Sequence, residues 1–218
     1  MQRNILIGAF VAATALISSA ATAQSYYLGG SVGQSTIKLG TSSSDYDTTA
    51  TSKTEGDTAY KLFGGYQLNS TYAIEGGYAV LGRASAKYTS GGVANGLTGQ
   101  VTNNAWFAAM KAEMPLAYGV SAFGKLGATY AMSKSQITAA SSAILNANCS
   151  KCADSKSNYN PYFGIGLEYD LTKSVAMRLE YEDFGNFGNS FRDSSTIISG
   201  GTGRSKASMW SLGAAMAF

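Results

Sequence analysis

The thirteen residues from Lys206 to Phe218 alternate strictly. Phe218, Met216, Ala214, Leu212 and Trp210 form one apolar row, and Ala217, Ala215, Gly213, Ser211 and Met209, mostly small, form the other. A repeat of two is that of a β-strand with one apolar face. This strand finishes on an aromatic residue, an arrangement of little use to a sheet bathed in water. It suits a strand that closes a barrel in lipid, where the outward face must be apolar and the rim aromatic.

The rest of the chain agrees with a lipid-facing sheet. Only 13% of the residues are charged, against about a quarter in ordinary soluble domains. Glycine is abundant at 26, proline scarce at 2, tyrosine high at 14 and histidine absent. A net charge of +3 without a clustered basic stripe gives no support to nucleic-acid binding. The first residues read as a cleaved signal peptide. Arg3 supplies the positive start, Ile5 to Ile17 the apolar core, and Ala21-Thr22-Ala23 the small-residue site before Gln24. Residues 1–23 are therefore expected to be removed, leaving 24–218 as one barrel domain. No later run is long and apolar enough for a membrane helix, so any span must be built of strands.

Eight alternating segments follow. They are Tyr26 to Ile37, Thr58 to Leu68, Thr71 to Leu81, Asn104 to Met114, Val120 to Met132, Asn158 to Tyr169, Val175 to Asp183 and the terminal strand. Their connections run long, short, long, short, long, short, long. Short turns are expected at Asn69-Ser70, Pro115 to Gly119 and Asp170 to Ser174. Long polar loops are expected over 38–57, 82–103, 133–157 and 184–205. Membrane barrels have this asymmetry, with tight periplasmic turns and long extracellular loops. A soluble eight-stranded barrel keeps an apolar interior and a polar exterior, and here the polarity is reversed. The expectation is an all-β fold, an eight-stranded antiparallel transmembrane up-and-down barrel.

Three stretches carry a family resemblance: Lys61-Leu62-Phe63-Gly64-Gly65-Tyr66-Gln67-Leu68, Pro161-Tyr162-Phe163-Gly164-Ile165-Gly166-Leu167-Glu168-Tyr169 and Met177-Arg178-Leu179-Glu180-Tyr181. With them the chain resembles the OmpA-like, opacity-type outer-membrane β-barrels over all of residues 24–218. The resemblance implies a bacterial outer-membrane location. It does not extend to the peptidoglycan-binding domain that larger members add.

Strand parity collects Lys61, Glu75, Lys111, Glu113, Lys125, Glu168, Arg178, Glu180 and Glu182 on the inner face, five acids and four bases. Eight strands enclose only enough room for side chains. Charges there must be paired or hydrated. They form either a structural salt-bridge plug or a gated, narrow ion path.

Other chemistry is thinly represented. Without histidine, Ser-His-Asp, Cys-His and His-ligated metal sites are unavailable. Glu180 and Glu182 more simply balance interior bases than perform acid-base work. No cofactor or metal is expected, and no enzyme. Cys149-Ser150-Lys151-Cys152 lies mid-loop in an exported chain. An oxidising compartment favours a Cys149–Cys152 disulfide. Gly200 to Ser205 lacks the Gly-Lys-Ser/Thr ending and the following helix of a phosphate loop, so it reads as a plain loop. Tyr26, Tyr72, Tyr78, Tyr130, Tyr169, Trp106 and Trp210 read as aromatic girdles.

The functional expectation is a monomer embedded in outer-membrane lipid. Its loops would act in envelope integrity, adhesion or recognition of a surface ligand or host receptor, with a narrow porin-like channel as the alternative. Trp210, Leu212, Met216 and Phe218 would carry the signal read by the barrel-assembly machinery.

Overall fold

The computed structural model describes residues 26–39, 48–54, 56–90, 93–138, 153–188 and 204–218. The expected signal peptide, both cysteines and Gly200 to Gly203 lie outside them. The described residues form nine strands: β1 (Tyr26–Leu39), β2 (Thr48–Thr54), β3 (Gly56–Gln67), β4 (Tyr72–Ser90), β5 (Val93–Ala117), β6 (Val120–Thr138), β7 (Ala153–Asp170), β8 (Val175–Gly188) and β9 (Arg204–Ala217). All but β2 form a closed ring of antiparallel neighbours, β1-β3-β4-β5-β6-β7-β8-β9 and back to β1. β2 continues the ladder of β3 toward the loop end, pairing antiparallel with the upper part of β4, from Ser85 to Ser90, on the same edge that β3 occupies below.

Closure fixes the strand tilt. One row of partners runs Tyr26, Tyr66, Ile74, Met110, Leu126, Phe163, Asp183, Ser208 and returns to β1 at Thr36, a shift of ten residues. Ten residues of stagger over eight strands correspond to a tilt of about 40°, within the range of closed barrels. The chain ends meet in the same ladder, where the Phe218 amide donates to the Tyr26 carbonyl at 2.9 Å.

The end that holds both chain ends has tight turns with local hydrogen bonds. Asn69 Oδ1 accepts the amides of Thr71 (2.9 Å) and Tyr72 (2.8 Å). Thr172 Oγ1 accepts those of Ser174 (3.2 Å) and Val175 (3.0 Å). β5 and β6 are joined by Tyr118 and Gly119 alone, with φ of 55° and 76°. Both positive values belong to the hairpin turn whose twist matches the flanking strands.

The opposite end corrects the sequence reading. The stretch 82–103 is mostly strand, since β4 runs to Ser90 and β5 begins at Val93. Likewise β6 extends to Thr138, β7 begins at Ala153 and β8 extends to Gly188. Pro115 lies inside the end of β5, opposite Ser121, rather than in the turn. Polar composition suggested loops, yet a strand projecting beyond the membrane is polar on both faces.

Two of the bulges at this end carry a glycine with positive φ. One lies between Val80 and Arg83 on β4, with Gly82 at φ 80°, and the other between Asp183 and Asn186 on β8, with Gly185 at φ 79°. Each is held by a carboxylate. Asp57 Oδ2 accepts the Arg83 amide at 2.8 Å, and Asp183 Oδ1 accepts the Gly185 amide at 2.9 Å.

Outside, the apolar rows face away from the interior, with Leu62, Ile165 and Leu126 at 61%, 64% and 72% exposure. For an isolated barrel such a surface is the mark of lipid contact. The girdle aromatics lie on this face, several as touching pairs: Tyr26–Tyr66, Tyr78–Trp106, Tyr130–Tyr159 and Tyr181–Trp210. Among the described residues no helix is long and apolar enough to cross a membrane.

Candidate functional site: the charged lumen

Side chains on the inner face alternate between small and very large. Five inward aromatics lie directly across the ladder from a glycine: Tyr27 opposite Gly65, Phe63 opposite Gly29, Phe107 opposite Gly77, Phe123 opposite Gly166 and Tyr162 opposite Gly127. A Cβ on Gly65 or Gly29 would stand 2.2 or 2.4 Å from the facing ring, so the glycine is the room into which the ring lies. These rings then flank the charges. Arg178 lies 4.8 Å from the Phe63 ring centre and 5.0 Å from that of Tyr27, and Lys111 lies 4.8 Å from that of Phe123. Rings with electron-rich faces are favourable company for desolvated cations.

The nine charged residues marked from sequence meet inside the barrel as one unbranched chain of alternating sign. From the loop end, Glu182 bonds Lys61 (2.7 Å) and Lys61 bonds Glu180 (2.6 Å). Glu180 contacts Lys125, which bonds Glu75 at 2.5 Å. Glu75 bonds Arg178 (2.7 Å), whose Nε bonds Glu168 (2.5 Å). Glu168 bonds Lys111 (2.8 Å), and Lys111 bonds Glu113 (2.8 Å). Every base therefore bridges two carboxylates. Glu113 ends the chain, half-buried at the turn-side mouth, while Glu182 ends it fully buried.

Tyrosine hydroxyls complete the carboxylate shells. Tyr27 donates to Glu75 at 3.0 Å, and Tyr162 donates to Glu182. Desolvating these ions is expensive, and their mutual contacts return that energy only while both neighbours of each are in place. The arrangement is suited to filling and fixing the lumen. Acid-base turnover needs a free carboxylate facing a substrate, and each of these is engaged by a base. Among the described residues no cluster of His, Cys, Asp or Glu could hold a metal ion.

Above Glu182 the interior becomes a layer of rings and aliphatic side chains, with Ser35, Asn103, Thr129 and Ser133 buried among them. Tyr162 stacks on Phe107 with ring centres 5.1 Å apart, and Phe184 lies 5.4 Å from Tyr162. Ile37, Leu81, Phe187 and Met209 are fully buried toward the loop end. Sequence reasoning assigned Phe184 and Phe187 to a loop, because the Gly185 bulge puts three residues where alternation expects two. The signal was Phe184-Gly185-Asn186-Phe187 itself, two aromatics flanking a glycine directly after a strand.

The remaining marked residues lie elsewhere. Trp210, Leu212 and Met216 are exposed on the outer face of β9, and Phe218 is half-buried at the turn-side rim. Cys149 and Cys152 lie outside the described residues.

A closed antiparallel eight-stranded ring, apolar outside and charged within, defines a transmembrane β-barrel of the bacterial outer membrane. Residues 21–218 match the family described as the OmpA-like transmembrane domain, and the chain belongs to that family. Solved structures share the fold. OprG from Pseudomonas aeruginosa is 12% identical, with 89% of this chain and 96% of that chain covered and a TM-score of 0.52. The outer-membrane protein AlkL is 15% identical, with 93% and 94% covered and a TM-score of 0.50. Ail of Yersinia pestis, solved in complex with the heparin analogue sucrose octasulfate, is 17% identical, with 89% and 99% covered and a TM-score of 0.47. No curated protein matched the chain in sequence.

Proposed function

We propose that this barrel is a sealed, non-conducting anchor that holds its loop end at the cell surface for a structural or recognition role in the envelope. The observation that carries the reading is the filled lumen, in which an unbroken ion-pair chain is capped by the layer around Tyr162, Phe107 and Phe184. An interior of this width, filled in that way, leaves no aqueous column. The same filling supports a non-enzymatic reading, since each interior carboxylate is held by a base. On this reading, specificity for a surface ligand or host receptor belongs to the loop segments, and the apolar outer row of β9 with Phe218 serves recognition by the assembly machinery.

Planar-bilayer recording on the refolded chain tests the proposal. Membranes are expected to hold protein, shown by a heat-sensitive gel shift, and yet carry no steady conductance. Discrete, reproducible current steps would instead favour the narrow channel, with Lys61, Lys111, Lys125 and Arg178 as its gate.

A further inference from the structure

The outer apolar band has a level edge at one end and a stepped edge at the other. The ten-residue stagger raises each row of partners by about 1.25 residues per strand. With that correction, Tyr26 on β1, Tyr72 on β4 and Tyr169 on β7 stand at nearly one height on the turn side. The loop-side edge differs between strands. On β7 the outward apolar residues continue up to Tyr159, 81% exposed and in ring contact with Tyr130 of β6. On β8 they stop at Tyr181, because the next residue of that row is Asp183, itself buried and bonded at 2.7 Å to the exposed Lys206. On β1 they stop at Val32, below the exposed Gln34 and Thr36.

A tilted strand climbs about 2.5 Å per residue along the barrel axis. From Tyr169 to Tyr159 the band is therefore ~25 Å tall, the usual height for such barrels, whereas from Tyr26 to Val32 or Val175 to Tyr181 it is only ~15 Å. The step falls between β7 and β8, where their ladder ends at Phe163 opposite Asp183 and Pro161 has no amide to extend it.

We propose that the face formed by β8, β9 and β1 is an interaction surface for a locally thinned bilayer, with the thinning confined to the loop-side leaflet. A flat membrane matched to β6 and β7 would place Gln34 and the Asp183 carboxylate, to which the Lys206 ammonium reaches down, below the edge of the hydrocarbon. Placing charge there is costly, and the ~10 Å difference between the two edges is met by thinning of the lipid on the low side. Trp210 of β9 then sits at the lowered interface, the position that suits an indole with one polar edge.

The chain has two tryptophans, Trp106 and Trp210, which makes depth measurement direct. In Trp106→Phe, Trp210 alone reports on the low side. A second variant, carrying Trp106→Phe, Trp210→Phe and Tyr159→Trp, reports on the high side. Both are reconstituted at low density into vesicles of phosphatidylcholine brominated either near the headgroup or near the chain ends, and folding is verified by the gel shift. Shallow bromines are expected to cause the larger loss of fluorescence in both variants. Stronger quenching of Trp210 by deep bromines would overturn the proposal, since the bilayer would then be flat and thick on that side. A tryptophan at 159 that no bromine quenches would also overturn it, since the bilayer would be uniformly thin. Should the triple variant not fold, Trp210 decides alone, shallow quenching supporting the proposal and deep quenching overturning it.

Discussion

Lys125 shows what holds the interior together. It stands between Glu75 and Glu180, with all three side chains buried. Replacing it with methionine keeps much of the volume but leaves two acids facing one another. Lys125→Met is expected to lose about 3–5 kcal/mol of stability, read from urea unfolding in lipid vesicles. Adding Glu75→Gln to the same chain should recover part of that loss, because one uncompensated charge disappears. The glycines opposite the rings form the other sensitive class. Gly166→Val would press into the Phe123 ring and the Leu179 carbonyl, each 2.5 Å from the Cβ position. The expected outcome is loss of the folded band on unheated gels, and a band of normal intensity would show that the ring can move aside. Strand parity alone put all nine charges on the inner face. Their pairing order was not legible, because partners such as Lys61 and Glu180 lie 119 positions apart and are joined only by closure of the ring.

At the level of the element, the hairpin between β5 and β6 carries an unfavourable residue. Tyr118 holds φ at 55° and is almost wholly exposed, so strain there is not offset by packing. Asparagine tolerates that conformation better. Tyr118→Asn is expected to raise stability by about 0.5–1 kcal/mol, measured as a higher urea midpoint with unchanged slope. The bulge on β4 depends on Asp57, which accepts amides from both Thr58 (2.8 Å) and Arg83 (2.8 Å). Asp57→Ala should cost about 1–2 kcal/mol and speed amide exchange at Arg83 before the rest of β4. Strand existence was readable from alternation at a period of two, as in Met177 to Glu182. Strand ends were not, because alternation resets at Gly82 and Gly185 and fades where both faces meet water. Phe184 and Phe187 were lost from the expected core for that reason.

The whole molecule is defined by closure, and its ends take part in it. Phe218 and Tyr26 exchange backbone hydrogen bonds, so the last residue completes the seam between β9 and β1. Removal of Phe218 is expected to leave refolding into detergent nearly intact but to lower the amount assembled in cells, a contrast measurable by gel shift in the two settings. Equal yields in both would speak against a role for that residue in recognition by the assembly machinery. The fold class was readable because its determinants repeat in every strand. The role of the loops was not, since Ser-, Thr- and Gly-rich segments place few physical demands on sequence. The glycine-ring pairs also bear on how such a barrel can change over generations. Each pair divides one fixed volume between two adjacent strands, so a bulky replacement on one side survives only if the other side shrinks with it. Lineages should therefore trade these residues in couples, and the partner of a drifting aromatic is to be sought directly across the ladder rather than nearby in the chain.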